Sequence, residues 1–410
     1  MKLSTLRIAW RNLGRNRRRT GLALAAIAIG QLGYLMMCGI YHGASDSIVD
    51  TITGPMSGHV QMHAADWREE RAVDLVVDDL DETLRDVRST EGVARAAGRI
   101  YSPVLAALGE TGFQAMVVGV DPGEETDDRG ILRDLPDELW PGDRGVLVGY
   151  LLARKLEVKG GEEIAIVGLG ADGSMANGLY TVRSIIRTPI DSINRLGIVL
   201  SMSDAQQLFV MPNQAHEIVV HAATAGTSDE LAARIAAQEG EGPTEVVSWR
   251  QAAPQIASYI DLTDNAGAIM LVLVLIASAV GVANTMMMST FERSHEFGML
   301  LSLGCRPRKV VWMIVVEAIV LGVVGVAVGT ALGAGIVSII GHTGFDMGLN
   351  NPTGDSIAMF DMQFPTLIYP RLKPGDAING TLAVSITAIL AALWPASFAA
   401  RLEPSEAMRA

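Results

Sequence analysis

The chain has 410 residues, of which 49% are hydrophobic and only 19% charged, and its mean hydropathy is +0.30. This composition argues against an ordinary soluble enzyme and favours a membrane protein. The formal net charge of −13 disfavours nucleic acid as a partner. In chain order, the first notable feature is a strongly basic segment, residues 1–20, which is followed directly by an apolar stretch.

Four stretches are long and apolar enough to span a bilayer as helices, which takes about 20 residues. The predicted spans are residues 21–43, 266–289, 310–340 and 378–400. The first is longer than the apolar core of a cleaved signal peptide, so we interpret it as an uncleaved anchor. The third exceeds the required length, which predicts that it tilts or protrudes.

Basic residues cluster on one side of the predicted membrane. Segments 1–20, 290–309 and 401–410 together hold 13 lysines and arginines but four glutamates. The positive-inside rule therefore predicts that these segments are cytoplasmic. Four spans return both termini to the same side. We thus expect the large region 44–265 and the loop 341–377 on the outer face.

The region 44–265 is acidic, with 17 lysines and arginines against 36 aspartates and glutamates. Alternating apolar positions and capped helical stretches predict a mixed α+β domain, in one or two lobes. Expected strands are 145–149, 162–167, 198–201 and 217–221. Expected helices are 150–156 and 228–238, with a further helix that begins near Ser203 or Asp204.

Sites for a metal or a nucleotide are poorly supported by the sequence. His59 and His63 would share a face of a helix and could there hold zinc, but their alternating context favours a strand and no third ligand lies nearby. The glycine-rich stretch Gly168–Gly178 lacks the lysine of a phosphate-binding loop, so it predicts a hairpin tip or loop. We predict no metal, no cofactor and no catalytic residues in this chain.

Residues 292–320, ERSHEFGMLLSLGCRPRKVVWMIVVEAIV, place a short charged helix between two spans. Gly304 and Pro307 are expected to end that helix. Glu317 lies in the apolar stretch that follows, near its predicted cytoplasmic end. A carboxylate there usually faces protein or an interface, so we interpret Glu317 as a structural contact, with a proton relay as the alternative.

This segment resembles the signature of the FtsX-like, MacB-type permease family of ABC transporters, in which an E-R-x-x-E-[IF]-G element precedes a basic turn and an apolar helix with E-A. The matching residues are Glu292, Arg293, Glu296, Gly298, Gly304, Glu317 and Ala318. Two further stretches agree with the family. LRIAWRNLGRNRRRTGLA resembles its cytoplasmic amphipathic N-terminal helix, placed at residues 1–20, and AARLEPSEAMR resembles its tail.

The resemblance implies an α-helical membrane protein of the bacterial inner membrane, with four transmembrane helices and a large mixed α+β periplasmic domain. It also implies that 290–309 is a coupling helix seated in a separate ATPase dimer that binds ATP and Mg²⁺, and that two permease chains pair. The residues expected to contact the ATPase are Glu292, Arg293, Glu296, Phe297, Met299, Leu300, Arg306 and Arg308. Those expected to face substrate or lipid are Gly30, Leu32, Met36, Ile40, Met270, Val274 and Gly322.

Within the family, VLVGYLLARKLEVKGGEEIAIVG and IVLSMSDAQQLF are similar to the lipoprotein-releasing LolC and LolE permeases. That likeness implies extraction of triacylated lipoproteins from the inner membrane, with a periplasmic carrier as a further partner. The stretch Gly168–Tyr180 departs from the pattern, because it is short and lacks the Pro-rich, aromatic-bearing hook that grips the carrier. Two other functions stay open: MacB-type efflux with a periplasmic adaptor, and FtsX-type control of a cell-wall hydrolase.

Overall fold

The computed structural model describes residues 17–125, 130–132, 135, 136, 139–240, 242–346, 356–359 and 362–401. It divides into two compact units. Of the described residues, those within 1–46, 260–349 and 367–410 form the helical unit, and those within 47–259 and 350–366 form the sheet unit. Most of the predicted N-terminal helix, nearly all of the predicted tail and residues 347–355, 360 and 361 of the loop 341–377 lie outside the described residues.

Helices and strands are numbered here in chain order. The helices are α1 Arg17–Thr53, α2 Trp67–Glu70, α3 Leu80–Ser89, α4 Tyr150–Leu156, α5 Asp191–Leu196, α6 Met202–Leu208, α7 Ser228–Glu239, α8 Trp249–Ala252, α9 Pro254–Glu292, α10 Ser294–Ser302, α11 Pro307–Thr343 and α12 Pro374–Ala400. The strands are β1 Val60–Ala64, β2 Val93–Leu108, β3 Thr111–Val120, β4 Gly145–Gly149, β5 Glu163–Leu169, β6 Met175–Ile186, β7 Gly197–Ser201, β8 Glu217–Ala222, β9 Thr244–Ser248, β10 Phe345–Asp346, β11 Ser356–Met359, β12 Met362–Pro365 and β13 Leu367–Ile368.

Among the described residues, four helices, α1, α9, α11 and α12, are long and apolar enough to cross a membrane. Helices α1 and α9, with 37 and 39 residues, are much longer than their predicted spans, and α11, with 37 residues, exceeds its predicted span by six residues. At 1.5 Å per residue they reach about 55 Å, whereas a bilayer core is about 30 Å thick. Hydropathy marks only the apolar part of a helix, and polar residues continue these helices beyond it.

Helix α11 packs on the rest of the helical unit through small residues. A Cβ at Gly325 would lie 2.8 Å from Ile27, and one at Gly329 would lie 2.6 Å from the carbonyl oxygen of Ala28. These glycines let α1 approach α11 closely. Buried Gln31 of α1 strengthens the same contact, because its Nε2 donates to Thr330 Oγ1 of α11 at 3.2 Å. Gly325 and Gly329 of α11 therefore pack helices within one chain.

The sheet unit is built on a nine-stranded sheet with the order β3-β7-β4-β6-β5-β2-β8-β1-β9. Strand β3 pairs with both β7 and β2. This double pairing closes six strands into a ring, and β8, β1 and β9 extend it from β2. Closure removes the free edges of those six strands, which otherwise invite pairing with other chains.

The secondary structure predicted for this region is largely confirmed. Strand β4 and helix α4 have the predicted bounds, and the strands expected near 162–167, 198–201 and 217–221 are β5, β7 and β8. The Gly-rich stretch is the tip of the β5–β6 hairpin, in which Leu169 pairs with Met175. His63 lies in strand β1 as its alternating context predicted, whereas His59 lies one residue before that strand. As a separate observation, no group of three potential metal ligands occurs among the described residues.

A buried polar cluster joins β1, β2 and β8. Arg99 is fully buried and donates from Nε to Glu125 Oε1 at 2.7 Å and from Nη1 to the carbonyl oxygen of Met56 at 2.6 Å. Glu217 accepts a hydrogen bond from Gln61 Nε2 at 2.7 Å. Burial raises the pKa of Glu217 to about 6. Nearby arginines, Arg99 most strongly, attract the carboxylate and partly oppose this rise. The Glu217 carboxyl therefore changes its protonation state near pH 6.

Candidate functional site

The segment between α9 and α11 folds as a single short helix with sharply defined ends. Helix α10 covers Ser294–Ser302, which is shorter than the predicted segment 290–309. Gly304 adopts a left-handed conformation with φ of +83°, which favours glycine. Its amide donates to the carbonyl oxygen of Leu301 at 3.0 Å. Pro307 then begins α11, where its fixed φ suits the first helical position.

Helix α10 has a buried side and an exposed side. Phe297 is 1% exposed and lies in the apolar core of the helical unit, and Gly298 is also buried. On the other side Met299 is 44% exposed, and Leu303, just after the helix, is 83% exposed. The exposed side offers apolar surface to a partner.

An ion-pair cluster ties the start of α10 to α11. Arg293 donates from Nη1 to Glu317 Oε2 at 2.9 Å and from Nε to Glu296 Oε2 at 3.1 Å. Its guanidinium also lies over the ring of Phe297, 5.0 Å from the centroid. The side chains of Arg293 and Glu317 are only 11% and 7% exposed. The prediction that Glu317 makes a structural contact is confirmed.

Two residues predicted to contact the ATPase are therefore buried within the chain. Arg293 and Phe297 pack against the protein's own helices, and a contact between them and the ATPase stays a prediction. The pattern of a nine-residue amphipathic helix shows that one side is apolar. It does not show whether that side packs on neighbouring spans or on another protein.

The remaining predicted contact residues lie at the surface. Glu292, Met299, Arg306 and Arg308 are exposed, and Glu296 and Leu300 are half-buried. Next to α10 lies an open cavity of about 710 Å³ in which every charged lining residue is a cation. The lining residues are Leu300, Leu303, Gly304, Cys305, Arg306, Arg308 and Lys309. Such a surface suits an acidic partner with apolar side chains.

Comparison with known proteins identifies the architecture in which this segment occurs. The sequence model of the MacB-like periplasmic core domain matches residues 20–238, which is more than half of the chain. The FtsX-like permease C-terminal model matches residues 268–404, a range that contains α10 and its ion pair. The chain belongs to the FtsX-like, MacB-type ABC transporter permeases. It is accordingly a membrane permease with a periplasmic domain.

Individual proteins are similar to this chain over different shares of its length. The permease is 25% identical to the lipoprotein-releasing system transmembrane protein LolC of Xylella fastidiosa, over 96% of each chain. It is 32% identical to the macrolide export ATP-binding/permease protein MacB of Syntrophobacter fumaroxidans, over 33% of this chain and 16% of that protein. The solved extracellular domain of the transporter YknZ from Gram-positive bacteria aligns with 46% of this chain and 99% of its own, at 12% identity and a TM-score of 0.32.

The residues of the permease predicted to face substrate or lipid fall into two groups. Gly30, Leu32, Met36, Ile40 and Met270 are partly exposed. Val274 and Gly322 are buried within the chain, and their contact with substrate or lipid stays a prediction. Val274 packs 3.2 Å from the Cβ position of Gly30, and the Cβ position of Gly322 lies 3.1 Å from Ala388. Small residues favour close packing of helices in the same way within a chain and between chains.

Sequence reasoning missed several polar contacts in the helical unit of the permease. Gln31 bonds Thr330 as described, and His42 of α1 lies 3.1 Å from Asp376 of α12. Both pairs join residues about 300 positions apart, so no local pattern indicates the partner. A polar side chain within a membrane span is itself a signal for such a contact. Gln31 could have been found in this way.

Proposed function

We propose that this permease is the non-catalytic membrane subunit of a transporter that extracts lipoproteins from the bacterial inner membrane for delivery to the outer membrane. The similarity to LolC, which extends over 96% of both chains, carries this proposal. ATP and Mg²⁺ bind to a separate cytoplasmic ATPase dimer, and the permease itself needs no cofactor. A second copy of the permease, or a paralogue, completes the membrane part.

The proposed contact with the ATPase is the exposed side of α10 and the adjacent basic cavity. Met299 and Leu303 supply apolar surface, and Arg306 and Arg308 supply positive charge. ATP binding moves the ATPase dimer and with it α10, so that the nucleotide favours one permease conformer over the other. The helical spans carry that change to the periplasmic domain, and hydrolysis resets it.

The proposed topology has four membrane passes and both termini in the cytoplasm. The cations of segments 1–20 and 290–309 support this orientation. It places the large acidic domain in the periplasm, where a lipoprotein carrier would receive the cargo. Acyl chains would approach the permease along the partly exposed residues of α1 and α9, namely Leu32, Met36, Ile40 and Met270.

The proposal is tested by purifying the tagged full-length permease from its native membrane in mild detergent and identifying co-purifying chains by mass spectrometry. We expect an ABC ATPase together with triacylated lipoproteins. Recovery of the ATPase with an adaptor protein or a cell-wall hydrolase, and without lipoprotein, would reject lipoprotein extraction. The absence of any ATPase would reject the coupling mechanism as well.

A second candidate function is export by a MacB-type complex with a periplasmic adaptor. The 32% identity to MacB over 136 residues favours it. The same purification separates the two candidates, because an adaptor belongs only to the MacB-type assembly and a triacylated lipoprotein only to the extraction machine.

A further inference from the structure

We propose that the Arg293–Glu317 pair is a rigid joint that fixes α10 to α11, so that movement imposed on α10 by the ATPase is transmitted to the membrane spans. Arg293 and Glu317 are thus positioning residues that act through α10, and they do not dock the ATPase themselves. The transmission step rests on the proposed coupling to an ATPase. The joint itself rests on the geometry alone.

The pair joins the start of α10 to a point well inside α11. Arg293 lies directly before the first residue of α10, whereas Glu317 lies ten residues into α11, about 15 Å along that helix. The 2.9 Å bond between Nη1 and Oε2 therefore bridges the two helices at a further point, in addition to the turn at Gly304 and the core packing of Phe297. Tilting the start of α10 away from α11 has to break this charge-assisted hydrogen bond.

Burial makes that bond difficult to break. Both side chains are nearly enclosed, at 11% and 7% exposure. Separating a buried pair leaves two charges poorly solvated in a medium of low polarity, which is strongly unfavourable. The joint accordingly stays closed while the exposed side of α10 follows the ATPase.

Two further contacts fix the orientation of the arginine. Glu296 accepts from Nε at 3.1 Å, and the Phe297 ring lies under the guanidinium at 5.0 Å. The planar guanidinium offers a fork of donors in fixed directions, which a lysine cannot reproduce. The joint is therefore directional, and it defines an angle between α10 and α11 as well as a distance.

A purely structural role predicts something different. Apolar side chains of similar volume often replace a buried ion pair without loss of stability. If Arg293 and Glu317 only fill space, such a replacement preserves both the fold and the coupling. If they form a directional joint, it preserves the fold but not the coupling.

The joint is tested first by amide hydrogen exchange on the full-length permease in detergent. In Glu317→Gln we expect the amides of residues 294–302 to exchange about tenfold faster or more, because a buried charge loses its partner. The matched control is Glu296→Gln, which removes the half-buried partner of the same arginine and should change exchange by less than about threefold. Equal exchange in Glu317→Gln and the unmodified permease would overturn the joint.

A charge exchange adds specificity to this test. The charge exchange combines Arg293→Glu with Glu317→Arg, so that the two positions again carry opposite charges. It is made in the Glu296→Gln background, because a carboxylate at position 293 would otherwise be repelled by Glu296 on α10. We expect exchange in 294–302 to return to within about threefold of that background. A double variant no slower in exchange than Glu317→Gln would show that no direct pairing holds α10.

The transmission step is tested with the ATPase that co-purifies. The variant Arg293→Leu/Glu317→Leu should keep the unmodified melting temperature and retain the ATPase, while the permease-dependent stimulation of ATP hydrolysis falls about tenfold. Full stimulation of ATP hydrolysis in this variant would show that the two side chains only fill space and do not transmit movement. If the unmodified permease brings down no ATPase, the proposed function fails, and hydrogen exchange still decides whether the joint exists.

Discussion

Glu217, a buried glutamate of the sheet unit, makes the free energy of unfolding depend on pH. Burial raises the pKa of Glu217 from 4.5 to about 6, so the folded state binds its proton more tightly than the unfolded state. The stability that this proton contributes is complete below pH 4.5 and is lost as the pH rises through about 6. At pH 7.5 the ionised carboxylate therefore destabilises the sheet unit.

The substitution Glu217→Gln should raise the free energy of unfolding at pH 7.5 by about 1–2 kcal/mol and leave it unchanged at pH 4, because the amide mimics the protonated acid. Denaturant unfolding of the full-length permease, followed by tryptophan fluorescence, measures the difference. His63 and His216, whose pKa values are lowered by burial, contribute the opposite slope but do so equally in both proteins. Exposed Glu163→Gln is the control, and a less stable Glu217→Gln at pH 7.5 would contradict this account.

For single residues, the sequence predicted the type of contact more accurately than the residue on the other side of that contact. Glu317 was correctly interpreted as a structural contact because a carboxylate in an apolar stretch needs a nearby donor. Its partner, Arg293, was instead predicted to contact the ATPase. The pairing depends on how the turn at Gly304 returns the chain, and no spacing rule encodes that geometry.

At the scale of single elements, the two sides of α10 should respond differently to truncation. Phe297→Ala removes a ring that is 1% exposed and should lower stability by about 3–5 kcal/mol. Met299→Ala, on the exposed side, should change stability by less than about 0.5 kcal/mol and yet weaken binding of the ATPase about tenfold. Thermal unfolding and co-purification give the two readouts. Unchanged ATPase binding in Met299→Ala would place the docking surface elsewhere.

Close packing between α1 and α11 gives a second prediction at this scale. Gly329→Ala would place a Cβ 2.6 Å from the carbonyl oxygen of Ala28, and backbone cannot move aside easily. We expect a loss of about 1–3 kcal/mol, measured as a lower melting temperature in detergent. Gly335→Ala on the same helix meets nothing within 4 Å and should be neutral or slightly stabilising. Equal effects of the two substitutions would refute tight packing at Gly329.

For the whole molecule, the sequence predicted the membrane helices and most of the sheet-unit elements that were assigned, such as β4, α4 and α7, because their periodicity is local. The closure of six strands into a ring could not be predicted, since it depends on β3 pairing with β7, which lies about 80 residues further along the chain. Helix ends beyond the apolar stretches were missed for a related reason. Hydropathy describes solvent preference and contains no information on where a helix stops.

For the whole molecule, we propose that ATP hydrolysis by a separate chain drives this permease to release lipoproteins. The most direct measurement reconstitutes the purified permease–ATPase complex in proteoliposomes that carry a triacylated lipoprotein, and follows lipoprotein released into the supernatant. We expect lipoprotein release that requires ATP, Mg²⁺ and an acceptor protein in solution. We expect no release with a non-hydrolysable ATP analogue. ATP hydrolysis without any release of lipoprotein would contradict it.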